Sequence, residues 1–163
     1  VSYDTNPPEN RFAVDGKWDI GVGFWLEAVL THHKSDLLPY EWEQTYNLGI
    51  DYTFAIGNGI NVLTEYFVLE NTNEILQAGE GVEFSTLSVN YPLGVLDKIN
   101  GIVYYDWKNE DYYRLLSLQR NYDNWSFYLF GFWNPNQYKL DISSRESSQF
   151  TGKGIQLMVV FNH

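Results

Sequence analysis

An all-β fold of antiparallel strands is predicted by three observations. Apolar residues recur at every second position, turn-forming Gly, Pro and Asn interrupt the alternating stretches, and the connections alternate between short and long. The clearest stretch runs from Trp18 to Leu30. There Trp18, Ile20, Val22, Phe24, Leu26, Ala28 and Leu30 alternate with Asp19, Gly21, Gly23, Trp25, Glu27 and Val29. A period of two sends these two sets to opposite faces of a strand. Strands of soluble domains are usually about five or six residues long, whereas a tilted strand crossing a bilayer needs roughly 9–11. Bulky apolar groups on one side, with glycines and carboxylates on the other, therefore predict a transmembrane barrel wall. Lipid would lie outside it and a polar interior within.

Eight strands are expected. The first covers about 16–31 and leads into a polar loop, His32–Glu41. The second, about 42–56, sets Tyr46, Leu48, Ile50, Tyr52, Phe54 and Ile56 against Glu43, Thr45, Asn47, Gly49, Asp51 and Thr53. Gly57-Asn58-Gly59 supplies the positive φ of a tight hairpin. The third strand, about 59–69, has Ile60, Val62, Tyr66 and Val68 opposite Asn61 and Glu65, and a longer polar loop, Glu70–Gly81, follows. The fourth, about 82–91, stops at Pro92, which has no N–H for the ladder. The fifth covers about 98–107. The sixth, about 112–120, has ambiguous facing. The seventh, about 125–133, is apolar on both sides, which points to a plug, a partner or a bulky core behind it. The eighth, about 153–162, shows Ile155, Leu157, Val159 and Phe161 on one face. Short turns fall at 57–59, 92–97 and 121–124, longer loops at 32–41, 70–81 and 134–152, and the link at 108–111 is the exception. Short periplasmic turns and long external loops are the outer-membrane pattern, and an even strand count would place both ends in the periplasm.

The totals fit. At 163 residues the chain is one domain or one barrel. Aromatics make up 18% of it, with 6 Trp, 13 Tyr and 10 Phe, as girdles at two headgroup levels would require. No apolar run is long enough for a transmembrane helix. A net charge of −11 argues against nucleic acid as a partner, because such proteins carry basic footprints. With no cysteine, disulfides and thiolate metal sites are excluded. The chain opens at Val1 without a basic or apolar leader, so any signal peptide is expected to be gone already. Val1–Arg11 reads as an N-terminal loop.

The segments 21–27 (GVGFWLE), 48–52 (LGIDY) and 57–66 (GNGINVLTEY), with the final strand ending near Phe161, resemble Gram-negative outer-membrane β-barrel proteins of the porin-like kind. The likeness covers nearly the whole chain and is one of pattern. It implies a location in the cell outer membrane, contact with outer-membrane lipids, possible contact with other envelope proteins, and no cofactor, metal or catalysis. Barrels of this class commonly end on an aromatic; here Asn162 and His163 follow Phe161. Because the class includes far larger barrels, the eight strands are either a small closed barrel or the C-terminal part of a larger one.

Two other readings compete. Gly16-Lys17-Trp18 matches the Gly-x-Trp start of lipocalins, soluble barrels that bind small apolar ligands and turn their apolar face inward. His33-Lys34-Ser35 is similar to the His-x-Ser element of outer-membrane lipid A deacylases. In those enzymes His activates Ser, and Glu27 or Asp36 would orient the imidazole. The family's following Asn is Asp36 here.

In the membrane reading Asp19, Glu27, Asp51, Glu65 and Asp106 face the lumen. Arg114 and Arg120 are expected to join them, since Arg on the lipid face near the midplane costs about 2–4 kcal/mol. Such a lumen favours cations if open, or holds a salt-bridge network if packed, and an eight-stranded interior is just filled by side chains. Trp42, Trp107, Tyr112, Tyr113 and Trp133, at strand ends, are the expected interface girdle. The acids Glu41, Glu43, Glu70, Glu74, Glu80, Glu110 and Asp111 lack the spacing of a dedicated cation loop and read as solvated loop tips.

Overall fold

The structure is a computed structural model and describes residues 8–34, 38–136 and 150–161. It contains nine strands: β1 (Glu9–Asp19), β2 (Gly23–His33), β3 (Trp42–Phe54), β4 (Ile60–Thr72), β5 (Glu80–Pro92), β6 (Asp97–Asp106), β7 (Asp111–Asn121), β8 (Trp125–Trp133) and β9 (Lys153–Phe161). They form one sheet in sequence order, every neighbouring pair antiparallel. No α-helix occurs among the described residues.

The expected count of eight is corrected to nine because the alternating run at 16–31 is a hairpin. Asp19 accepts a hydrogen bond from Gly21 N at 3.2 Å, and Gly21 takes a φ of 87°, a conformation that favours glycine. Trp18 then pairs with Phe24. Cross-strand partners share a face, so the period of two passes through the reversal unbroken and hides it. Glu9–Arg11, read as loop, belong to β1. The rest of that loop, apart from Pro8, lies outside the described residues. With nine strands, Glu9 and Phe161 also fall at opposite ends of the sheet, not at the same end.

The sheet is open. β1 and β9 are its edges, and no ladder joins them among the described residues. An odd antiparallel series leaves its two edges pointing the same way, so antiparallel pairing cannot close it. Connections 20–22, 55–59, 93–96 and 122–124 lie at one end, the turn end. Connections 34–41, 73–79, 107–110 and 134–152 lie at the other, the loop end.

The strands are staggered. One row of partners starts at Trp18, at the turn end of β1, and runs through Phe24, Ile50, Thr64, Leu87, Val103, Arg114 and Trp133 to Lys153, at the loop end of β9. Such a shift in register accompanies the strand tilt of barrels.

The two faces differ in exposure. On β7, Leu116, Leu118 and Arg120 are exposed, whereas Leu115, Ser117 and Gln119 are half-buried. In a single sheet this asymmetry follows from curvature, which crowds side chains on the concave side. Among the described residues the only buried hydrophobic side chains are Tyr113 and Phe132, both on that inner face. A conventional soluble core is therefore missing, because most of the aliphatic side chains point outward.

Candidate functional site

The outer face carries a continuous aliphatic band. Leu26, Leu48, Ile50, Leu87, Leu116, Leu118, Leu129 and Leu157 are all exposed and all fall on the same face by register. A monomer in water rarely exposes a contiguous apolar patch beyond a few hundred Å². Aromatic residues border this band at both ends. Trp42, Tyr105, Trp107, Tyr112 and Trp133 lie toward the loop end. Trp107 Nε1 donates to Ser85 Oγ at 2.8 Å, and Trp42 stacks on His32 at 4.5 Å. Trp18, Tyr52, Phe54, Tyr91, Tyr122, Trp125 and Phe161 lie toward the turn end, with Trp125 against Phe161 at 4.8 Å and Tyr52 against Phe54 at 4.7 Å.

This second row escaped the sequence reading. Reading 16–31 as one strand put Trp18 near its start but without the turn at 20–22 beside it. The usable signal was an aromatic residue close to each short connection. Tyr113, expected in the first row, is corrected: it pairs with Tyr104 on the inner face and is 7% exposed.

Arg114 and Arg120 are also corrected. They share a face with Leu116 and Leu118, opposite to Asp106. Each sits near one end of β7, and the two residues of that face between them are leucines. Arg114 stacks over the Tyr112 ring at 4.8 Å, and Arg120 lies 5.3 Å from the Tyr122 ring and 3.6 Å from Asp97. Long cationic side chains at such positions lay their stems on apolar surface and keep the charge at its rim. Glu70, Glu83 and Lys153 stand at the loop-end rim of the same face, and Asp97 stands at the turn-end rim. Between the rims no described strand carries a charged side chain on the outer face.

The inner face gathers the five expected acids, though they do different things. Asp106 is 1% exposed. Its Oδ1 accepts from Lys108 N and Asn109 N, both at 3.0 Å, and its Oδ2 from Asn109 Nδ2 at 2.8 Å. It therefore builds the 107–110 turn. Asp19 likewise caps the β1–β2 turn. Glu27, Asp51 and Glu65 lie with Asp15 on the inner face of β1–β4, and none has a cation within ion-pair distance among the described residues. Asp15, Lys17, Trp25, Glu27 and Asp51 line a recess of about 380 Å³. Gly49, beneath the Trp25 indole, leaves no room for a Cβ.

Toward the loop end the inner face of β5–β8 is aromatic, and toward the turn end Lys98, Asn100, Ser117 and Gln119 make it polar. Phe84, Tyr104, Tyr113, Leu115 and Phe150 surround a cavity of about 360 Å³. Phe150, from the β8–β9 connection, meets Phe132 edge-on at 5.4 Å. Asn134 ties this connection down, donating to Phe150 O at 2.6 Å and accepting from Arg114 N at 2.7 Å. The apolar inner side of β8 thus has a covering from the chain's own connection.

The His33 imidazole lies 3.8 Å from the Glu9 carboxylate and 5.6 Å from the Tyr40 ring. Glu27 is on the same face of β2, but six residues away it is about 20 Å distant and cannot orient His33. Ser35 and Asp36 lie outside the described residues. Of the other loop acids, Glu43 and Glu80 lie on the inner face and Glu70 on the outer, and no three His, Asp or Glu side chains converge as metal ligands among the described residues. Lys108 Nζ ties the 107–110 connection to Gly79 O at 3.1 Å, and the buried Gln44 of β3 holds the 73–79 connection by accepting from Leu76 N and donating to Gln77 O. No known family model, curated protein or solved structure matches the chain.

Proposed function

We propose that this chain forms the wall of an outer-membrane β-barrel, porin-like or structural, without catalysis. The observation that carries the reading is the outer face: an exposed, charge-free aliphatic band flanked by two aromatic rows, with charges only at its rims. Acyl tails are the solvent that such a surface fits, and interfacial aromatics and snorkelling arginines mark where headgroups begin. Length agrees. A strand of 13 residues such as β3 extends about 40 Å at ~3.3 Å per residue. At the ~35–45° tilt of membrane barrels it rises about 30 Å, the thickness of the hydrocarbon core.

The partners are then outer-membrane lipids and, at the loops, other envelope proteins. The exposed Leu48 and Ile50 count against the lipocalin-like alternative, which needs them inside, and the distance from Glu27 to His33 weakens the deacylase alternative. The inner face supports a cation-favouring passage along β1–β4, where Asp15, Glu27, Asp51 and Glu65 have no ion-pair partner among the described residues. Two measurements test this. The protein should sediment with outer membranes and need detergent for extraction; release into the aqueous fraction rejects the membrane reading. In planar bilayers it should conduct with cation preference; silence leaves a structural barrel and rejects the pore.

A further inference from the structure

The two sheet edges carry an inference that rests on the membrane reading and goes past it. All eight neighbouring pairs are antiparallel, so β1 and β9 both run from the loop end to the turn end. In hydrocarbon an edge of unpaired N–H and C=O groups is not tolerated, so a membrane wall must close. Direct pairing of β1 with β9 would be parallel. A second copy offers no better fit: copies inserted in one orientation present edges that point the same way, and every edge-to-edge pairing between them is again parallel.

β9 is not blunted as natural free edges are, by proline or by charges along its length, whereas β1 carries Glu9, Arg11, Asp15, Lys17 and Asp19, all on the inner face. The outer-face pattern runs on to both. Phe12 and Val14 on β1 are 65% and 49% exposed, and Ile155 and Leu157 on β9 are 81% and 67% exposed. Within the span of β9 only Lys153, its first residue, is charged.

We infer that the wall is completed by further strands of the same polypeptide, odd in number, the ones beside β1 and β9 running from the turn end to the loop end. The total becomes even, as in bacterial single-chain barrels, and each new strand must show the same alternation, apolar outside and polar inside. Eight strands enclose an interior that side chains just fill, so added strands widen it and at porin-like counts leave an aqueous channel. The unpaired carboxylates of β1–β4 would then face water.

The test uses the native gene product in its own outer membranes. These 163 residues contain no cysteine, so a Val14→Cys, Leu157→Cys pair reports on the edges once any cysteine in the added strands is replaced. Three results are expected together: an intact mass above the 19.0 kDa of these residues, a membrane-fraction protein, and no short-range crosslink between the two cysteines. A native mass of 19.0 kDa overturns the inference. So does a crosslink within one chain, which means parallel closure, or between two chains, which means pairing of copies. If the variant fails to assemble, the wild-type mass still decides. Recovery in the aqueous fraction overturns the membrane reading and with it the need for closure, whereas a crosslink in the membrane fraction removes the closure alone.

Discussion

The inner face divides into two regions under one uniform outer face. Along β1–β4 it carries Asp15, Glu27, Asp51 and Glu65 with Arg11 and Lys17, beside Trp25, Leu63 and Phe67; along β6–β8 it carries Tyr104, Tyr113, Leu115, Phe130 and Phe132 toward the loop end, and Lys98, Asn100, Ser117 and Gln119 toward the turn end. The outer residues of both regions are the same kind, aliphatic in the middle and aromatic at the ends. The difference teaches that the outer surface answers to one solvent everywhere, whereas the inner surface is free to differ. One part is rich in carboxylates and the other packs its loop-end aromatics around the chain's own Phe150.

The packed region gives the largest expected effect. Phe132 is buried, lies over Gly154 and touches Phe150, so Phe132→Ala removes a filled aromatic volume. Loss of about 3–5 kcal/mol of unfolding free energy is expected for such a truncation. The matching change in the polar region, Asn47→Ala, removes a carbonyl oxygen that has no hydrogen-bond partner, and should stay within about 0.5 kcal/mol. Urea unfolding of the lipid-refolded proteins measures both. Equal losses would erase the distinction between the regions.

Next in size is a depth series on β7, which tests the uniform outer face. Leu116→Arg puts a charge at the centre of the band and should cost about 2–4 kcal/mol in a bilayer. Arg120→Leu, at the rim, should cost under about 1 kcal/mol, since its ion pair with Asp97 is half exposed. A flat series, with the same cost at 116 and 120, would mean that no apolar medium surrounds the sheet.

Much of this was legible in the sequence, because the period of two is imposed by the pleat itself and survives any change of partner. Strands β3 to β9 fall within a few residues of their expected spans for that reason. Three things were not legible. The β1–β2 reversal was invisible because Trp18 and Phe24 share both a face and a chemical type. The facing of Arg114, Arg120 and Tyr113 was misjudged because β7 alternates leucines with polar groups on both sides, so charge alone suggested the interior. Local parity answers it: Arg114 must go where Leu116 goes. The role of Asp106 was hidden as well, since a carboxylate bound by Lys108 N and Asn109 N reads in sequence like any other acid beside a loop.

That last case gives the third prediction. The buried Asp106 carboxylate accepts three hydrogen bonds from an exposed turn, so Asp106→Ala should lose about 1–3 kcal/mol through loss of those charge-assisted bonds. Asp51→Ala, on the same face and without an ion pair, should lose almost nothing. Hydrogen exchange at Lys108 and Asn109 would report the loosened turn directly. Retained protection in Asp106→Ala would mean that the turn is held by other contacts.

The smallest expected change in stability is also the one that speaks most directly to function. Glu27→Gln, Asp51→Asn and Glu65→Gln together neutralise the acids of the polar region while keeping their shape. None has an ion pair among the described residues, so unfolding free energy should move by less than about 1 kcal/mol. If ions pass this face, the reversal potential under a salt gradient should shift toward zero as cation preference falls, with conductance retained. The contrasting variant, Tyr104→Phe, lies on the aromatic region and should leave selectivity alone. Selectivity that follows Tyr104→Phe, and not the three acids, would move the passage to β6–β9 and reverse the assignment of the two regions.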